Sequence, residues 1–306
     1  MHSSLTSNPT FRKLPLAECL LLLVAIVWGT SYGVTKEALV YISVLAFISI
    51  RFLLTSILML PFLVRDIMKG SVKGWPRAIL TGVILLAIFL FEVFGIFYTS
   101  AANAAFLISL FVIFTPLLKW LLDRQYPGHH IILLAAACVI GVYLLTWQPS
   151  TRFSFNLGDG CILIAAFLRA CMVLYTRKIM KLTNLSMASL TVIQSSVVGI
   201  GALVLLFMNQ PNTGINWTDS PHFWLSMSYL IIFCTLFAFF AQNYALKHTN
   251  ANRVSLLMGS EPFFGALFAI LWLGESFNFI QIIGACIILA CIFYATSNSA
   301  VAKSVT

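Results

Sequence analysis

Ten stretches of about twenty apolar residues, separated by short polar gaps, decide what this chain can become. They cover roughly 16–35, 43–64, 76–98, 101–122, 131–147, 158–178, 187–208, 222–246, 253–273 and 278–297. About twenty apolar residues in a helix cross the hydrocarbon core of a bilayer, and only helices or closed barrels satisfy the backbone there. With 60% hydrophobic and 9% charged residues, the chain has too little polar surface to close into a water-soluble globule. The expectation is therefore an all-α integral membrane protein of ten transmembrane helices, with the lipid bilayer as its main partner. The fifth run is short, and the seventh, carrying Gln194, Ser195 and Ser196, is the most polar.

Charge placement sets the orientation. The net charge of +9 invites a nucleic-acid reading, but the basic residues sit in the gaps between apolar runs. There they act as topology signals and lipid contacts, and no nucleic-acid partner is expected. With a cytoplasmic N-terminus, the inner segments hold Arg12, Lys13, Arg65, Lys69, Lys73, Arg77, Lys119, Arg124, Arg177, Lys178, Lys181, Lys247, Arg253 and Lys303. Only Lys36 and Arg152 fall outside. Both termini are thus expected in the cytoplasm, as tails of residues 1–15 and 298–306. Arg12 and Lys13 ahead of an apolar run mimic a signal peptide, but no small-residue cleavage site follows, so an uncleaved first span is expected. The seven cysteines form no C-x-x-C pair and read as small buried hydrophobes, with neither a metal site nor a disulfide framework expected.

The chain also repeats itself. A shift of 150 places Thr99 on Thr249, Ala101 on Ala251, Leu107 on Leu257, Ala135 on Ala285 and Thr146 on Thr296. One unit covers 16–147 and the other 158–297. Five helices per unit is an odd number, so the second copy must enter the membrane inverted. Inverted repeats are a recurrent construction of secondary transporters, with the solute site near the midplane between the halves.

These residues resemble the drug/metabolite transporter superfamily, specifically EamA-type permeases. The resemblance is carried by WGTSYGVTK (Trp28–Lys36), RFLLTSILMLP (Arg51–Pro61), YTSAANAAFL (Tyr98–Leu107), the long stretch from Tyr244 to Ser276 with its Glu261-Pro262 and Gly274-Glu275 pairs, and IIGACIILA (Ile282–Ala290). It implies ten helices, alternating access and small organic solutes, often exported, amino acids and aromatic metabolites among them. Some members of the superfamily take metabolites in. The first half departs from the pattern: Val112 stands where Pro262 maps, Arg124-Gln125 where Gly274-Glu275 map, and Pro116 is expected to supply its helix break.

Charges at membrane depth cost about 2.5–3.5 kcal/mol each on insertion scales and need a partner, water or a function. Glu92 maps by the repeat onto Gln242, beside Asn243, and is expected to contact solute or exchange a proton with either side. Arg169 stays protonated and is expected to meet Glu92, Glu261 or a carboxylate of the solute. Arg51 reads as a structural lock or a side chain snorkelling outward. Pro262 frees backbone carbonyls and should bend its helix beside Glu261, a mark of discontinuous transporter helices. Trp28, Ser31, Tyr32 and Thr35 share one helical face that suits a cavity wall or an interfacial aromatic belt. Asn103, Tyr175 and Gln194 complete the candidates. The candidate substrate contacts are Trp28, Ser31, Tyr32, Glu92, Asn103, Arg169, Tyr175, Gln242, Asn243 and Glu261. GTSYG matches a hydrolase elbow but lies inside a spanning helix, so it reads as close helix packing.

The chain is accordingly expected to be a cofactor-free inner-membrane carrier, a monomer or homodimer, moving amino acids or related amphipathic solutes, in the export direction and with a proton gradient as candidate energy source. The cavity is expected to be lined by helices 1, 3, 4, 6, 8 and 9. The competing readings are an importer of a nucleoside-like or adenosyl compound, a channel, or a membrane enzyme.

Overall fold

The computed structural model describes residues 16–70, 74–124, 129–147, 155–182, 185–209, 218–238, 241 and 257–301. Within them every regular element is helical. The elements are α1 (Leu16–Ala38), α2 (Val44–Met68), α3 (Trp75–Tyr98), α4 (Ala101–Ser109), α5 (Phe111–Asp123), α6 (His129–Leu145), α7 (Leu157–Leu182), α8 (Met187–Asn209), α9 (Pro221–Ile231) with a π-helical continuation Ile232–Phe237, α10 (Glu261–Leu273) and α11 (Phe279–Val301). Among the described residues, six spans are long and apolar enough to cross a membrane, α4 and α5 counting as one, and four shorter apolar helices accompany them. Large apolar side chains such as Leu58, Phe62, Leu121, Leu133, Leu225 and Leu271 stand exposed on the outside of the bundle. In water that would be an error; in lipid it is the expected outer coat.

The helices pack in a pattern that respects the repeat. The pairs are α2 on α8, α6 on α11 and α4 on α10, each joining corresponding spans of the two halves. Other large contacts come as counterparts: α1 on α10 matches α7 on α4 and α5, α3 on α7 matches α9 on α1, and α3 on α8 matches a smaller contact of α9 on α2. Small residues let these backbones meet. A Cβ on Gly29 would stand 2.7 Å from the Glu261 carbonyl oxygen and the Gly265 amide nitrogen, and one on Gly284 would stand 2.6 Å from the Gly141 carbonyl. The close-packing role of the GTSYG stretch is therefore physical: Gly29 and Gly33 both face α10.

The two helix breaks fall at matching positions. α4 stops and α5 restarts around Leu110, and α10 begins after Ser260, which is Leu110 shifted by 150. Both hinge residues are near the bridge between helix and turn, at φ −62° and ψ −12° for Leu110 and φ −81° and ψ −7° for Ser260. The expectation that Pro116 breaks the first repeat is thus corrected. Pro116 lies inside α5, nearly two turns past the break, and the adjacent Thr115 hydroxyl occupies the Phe111 carbonyl at 2.7 Å. Pro262, in contrast, sits in the first turn of α10, where its missing N–H would have no helical partner anyway.

Candidate functional site

One cavity of about 1500 Å³ runs into the bundle, and most of the candidate residues meet there. Trp28, Ser31, Tyr32 and Thr35 line it from α1, Arg51 and Phe52 from α2, Phe89 and Glu92 from α3, Arg169 and Tyr175 from α7, Gln194 and Ser195 from α8, Cys234 and Thr235 from the π segment, and Glu261 from the start of α10. Helices α2 and α8, the second and seventh apolar spans and so absent from the expected lining set, contribute substantially. Asn103 lies on α4, half-buried, away from the lining, and its amide donates to the Ser100 hydroxyl at 3.0 Å. Gln242 and Asn243 lie outside the described residues.

The four-residue stripe of α1 follows from helical spacing, and its shape is fixed by bonds to the other half of the chain. Tyr32 is buried and donates its hydroxyl to Glu261 Oε1 at 2.5 Å, which removes the aromatic-belt alternative. The Trp28 indole donates to the Cys234 carbonyl at 2.8 Å. That acceptor is available because the π-helical turn Ile232–Phe237 takes its carbonyls out of the ordinary ladder, as such turns do at functional sites. Thr30 and Tyr229 share a further bond of 2.7 Å. Glu261 begins α10, so the break after Ser260 places its carboxylate at the positive end of a helix, facing Tyr32.

The two intramembrane arginines both line the cavity. Arg51 does not snorkel: it is 7% exposed, lines the cavity, and rests its guanidinium 5.6 Å from the ring centres of both Phe52 and Phe89. Its Nε is buried with no hydrogen-bond partner. Arg169 makes no ion pair with Glu92 or Glu261 among the described residues, where only Lys36–Glu275 and Arg65–Asp66 approach within 4 Å. It lies 5.3 Å from the Phe111 ring centre and 6.0 Å from that of Trp28, and its Nη1 is a buried donor without an acceptor. Glu92 faces the same space, within electrostatic reach of Arg169, Arg51 and Glu261. An orphaned buried donor on a cation is expensive.

The cavity is open at one end. Lys119, Leu122 and Met187 line it there and are themselves exposed, whereas Thr35 and Ile96 at its other extreme are buried. Beyond Thr35 a polar cluster closes the bundle. Glu275 accepts from the amides of Ala101 at 2.8 Å and Ala102 at 3.1 Å, completing the start of α4 that Ser100 only partly caps. Lys36 Nζ donates to the Thr99 carbonyl at 2.5 Å and stands 3.9 Å from Glu275. The Thr99 hydroxyl donates to Asp159 at 2.5 Å, and Asp159 and Asn156 cap each other's amides at the start of α7. Elements of both halves thus meet in one closure. Sequence reasoning noticed Glu275 only as part of a pattern and missed Asp159; polar residues at or next to the ends of four different spans were the available signal.

Comparison with known proteins follows the same outline. The family model described as the EamA-like transporter family matches residues 15–147 and again 156–297. Two relatives from Archaeoglobus fulgidus, each described as an uncharacterized transporter, are 27% identical. One aligns over 89% of this chain and 83% of its own length, the other over 91% and 96%. A protein of known crystal structure, 13% identical, superimposes with a TM-score of 0.63 over 93% of this chain and 97% of its own, which shows a shared fold.

Proposed function

The chain belongs to the EamA-like transporter family and is a multi-pass membrane transporter, and from that premise we propose a secondary carrier of small amphipathic organic acids, amino acids foremost, working by alternating access in the export direction. Ten spans arranged as two inverted five-helix repeats, 16–147 and 158–297, underlie the proposal. The matching helix breaks at Leu110 and Ser260, the counterpart packing of the two halves and the doubled family match support it. Both termini lie in the cytoplasm and the protein sits in the inner membrane, on the strength of the Lys and Arg distribution. In that orientation the cavity opens to the cytoplasm and the Lys36–Glu275–Thr99–Asp159 cluster closes it from outside.

The observation that carries this reading is the unpartnered Nη1 of Arg169, buried in an aromatic-walled cavity with access to water on one side. A guanidinium binds carboxylate in a directional, charge-assisted manner, while Trp28, Phe52 and Phe89 offer apolar and ring surface to the rest of the solute. The volume exceeds the roughly 300–1,000 Å³ of a closed ligand site, so it includes a vestibule as well as a binding seat. Energy then comes from a gradient, with Glu92 the carboxylate free to exchange a proton.

Counterflow in liposomes tests this. Labelled phenylalanine outside should exchange saturably against unlabelled phenylalanine inside. Loss of a charge-assisted bond worth about 1.5–3 kcal/mol should raise the half-saturation concentration of Arg169→Gln roughly 10–150-fold. Non-saturating flux with ionic currents would instead establish a channel. Intracellular and extracellular metabolite levels with and without the protein give the direction.

A further inference from the structure

The cavity holds four ionisable side chains carried by four different elements among the described residues. Arg51 comes from α2, Glu92 from α3, Arg169 from α7 and Glu261 from α10, and all four line the same space. Their signs cancel. Tyr32 from α1 and Cys234 from the π segment also face the group and are uncharged. Lys119 lies at the exposed mouth, where water carries its charge. A buried set that sums to zero tolerates low dielectric; one that carries an extra unit of either sign does not, because an isolated ion is strongly disfavoured away from water.

The four are not equivalent. Glu261 is engaged as an acceptor by the Tyr32 hydroxyl at 2.5 Å. Each arginine has a buried nitrogen without an acceptor. Glu92 has no hydrogen-bond partner among the described residues and sits within electrostatic reach of both guanidinium groups. It is the one carboxylate in the set that could change its charge without breaking an existing bond.

We infer that the cavity admits only cargo of zero net charge: a zwitterion by itself, or a monoanion together with one proton held on Glu92. The inference rests on the reading of the cavity as a solute site and adds a selection rule to it. A zwitterionic amino acid sets its carboxylate against Arg169 and its ammonium against Glu92, and the sum stays at zero. A carboxylate lacking the ammonium leaves the site at minus one. A proton from solvent, added to a Glu92 oxygen, restores the balance; no other bond is made or broken.

The test uses two probes that differ only by the ammonium group, phenylalanine and 3-phenylpropionate, titrated calorimetrically into the full-length protein in lipid nanodiscs. Repeating each titration in two buffers of different ionisation enthalpy counts the protons taken up. The wild type should take up about one proton with each 3-phenylpropionate and none with phenylalanine, since the charge sum must return to zero. Glu92→Gln, neutral throughout, should bind 3-phenylpropionate with no proton uptake and shift the preference between the probes toward the anion by about tenfold or more. Glu92→Asp keeps the charge and should keep the wild-type stoichiometry, which separates the effect from misfolding. Anion binding by the wild type without proton uptake, or uptake that persists in Glu92→Gln, overturns the inference and leaves the solute site standing. Failure of both probes to bind saturably removes the solute-site reading and the inference with it.

Discussion

Replacing Glu275 by Ala should release the closed end of the bundle. In the closed state the carboxylate satisfies the amides of Ala101 and Ala102, residues 1% and 0% exposed, at 2.8 and 3.1 Å. Each buried N–H left without an acceptor costs about 1–3 kcal/mol. The Lys36 pairing at 3.9 Å is partly exposed and adds only about 0.5 kcal/mol. Water reaching the cluster from outside softens the penalty, so a net loss of about 3 kcal/mol is reasonable for the two amides. Once this end opens, the same amides are hydrated, so the cost falls on the closed state alone. At about 1.4 kcal/mol per factor of ten, the closed-to-open ratio should drop roughly a hundredfold. Spin labels at Val40 and Phe279, both exposed near this end, report the separation by pulsed electron resonance. The wild type should give one short distance and Glu275→Ala a large longer-distance population, with Glu275→Gln between them because it keeps one acceptor oxygen. Identical distributions in wild type and Glu275→Ala would refute the reasoning.

Two further substitutions probe the scaffold that holds the cavity. Gly29→Val puts a branched side chain where a Cβ alone would stand 2.7 Å from the α10 backbone, so it should separate α1 from α10 and cost several kcal/mol, of the order of 1–3 from overpacking plus the lost contacts. Thermal unfolding followed by size-exclusion fluorescence should show a large drop, and an unchanged melting temperature would contradict the close approach. Trp28→Phe removes the bond to the Cys234 carbonyl at 2.8 Å and leaves that acceptor facing the cavity, for a loss of about 1–2 kcal/mol. Solute affinity, measured by counterflow, should fall while the melting temperature moves by only a few degrees.

Much of this arrangement can be read from residue order, for identifiable reasons. Apolar runs of fixed length mark spans because lipid offers the backbone no alternative. The α1 stripe was legible from its i, i+3, i+4, i+7 spacing, and Trp28, Ser31, Tyr32 and Thr35 all line the cavity. The polarity of the seventh run has a partner-based cause: Gln194 donates to Thr81 at 2.9 Å and Ser196 bonds Ser56 at 2.6 Å, fastening α8 to α3 and α2. What spacing could not give was long-range pairing. Pro116 drew attention as a helix breaker, yet the break at Leu110 contains no proline, and the start of the same helix is capped by Glu275, 174 positions away from Ala101. Likewise Arg169 invites a carboxylate partner from sequence, but no carboxylate among the described residues comes within ion-pair distance of it, and the rings of Phe111 and Trp28 flank it.

The central claim is that one cavity is reached from one side at a time. A cysteine at Ser31, in a background where the native cysteines are replaced (Cys171 and Cys234 line the same space), can be alkylated by membrane-impermeant maleimide applied to either face of sealed vesicles. At rest the label should enter only from the cytoplasmic face. During exchange with phenylalanine on both sides it should enter from the outer face as well, and the vesicles should stay impermeable to small ions. Labelling from both faces at rest, or from neither under any condition, would contradict the account.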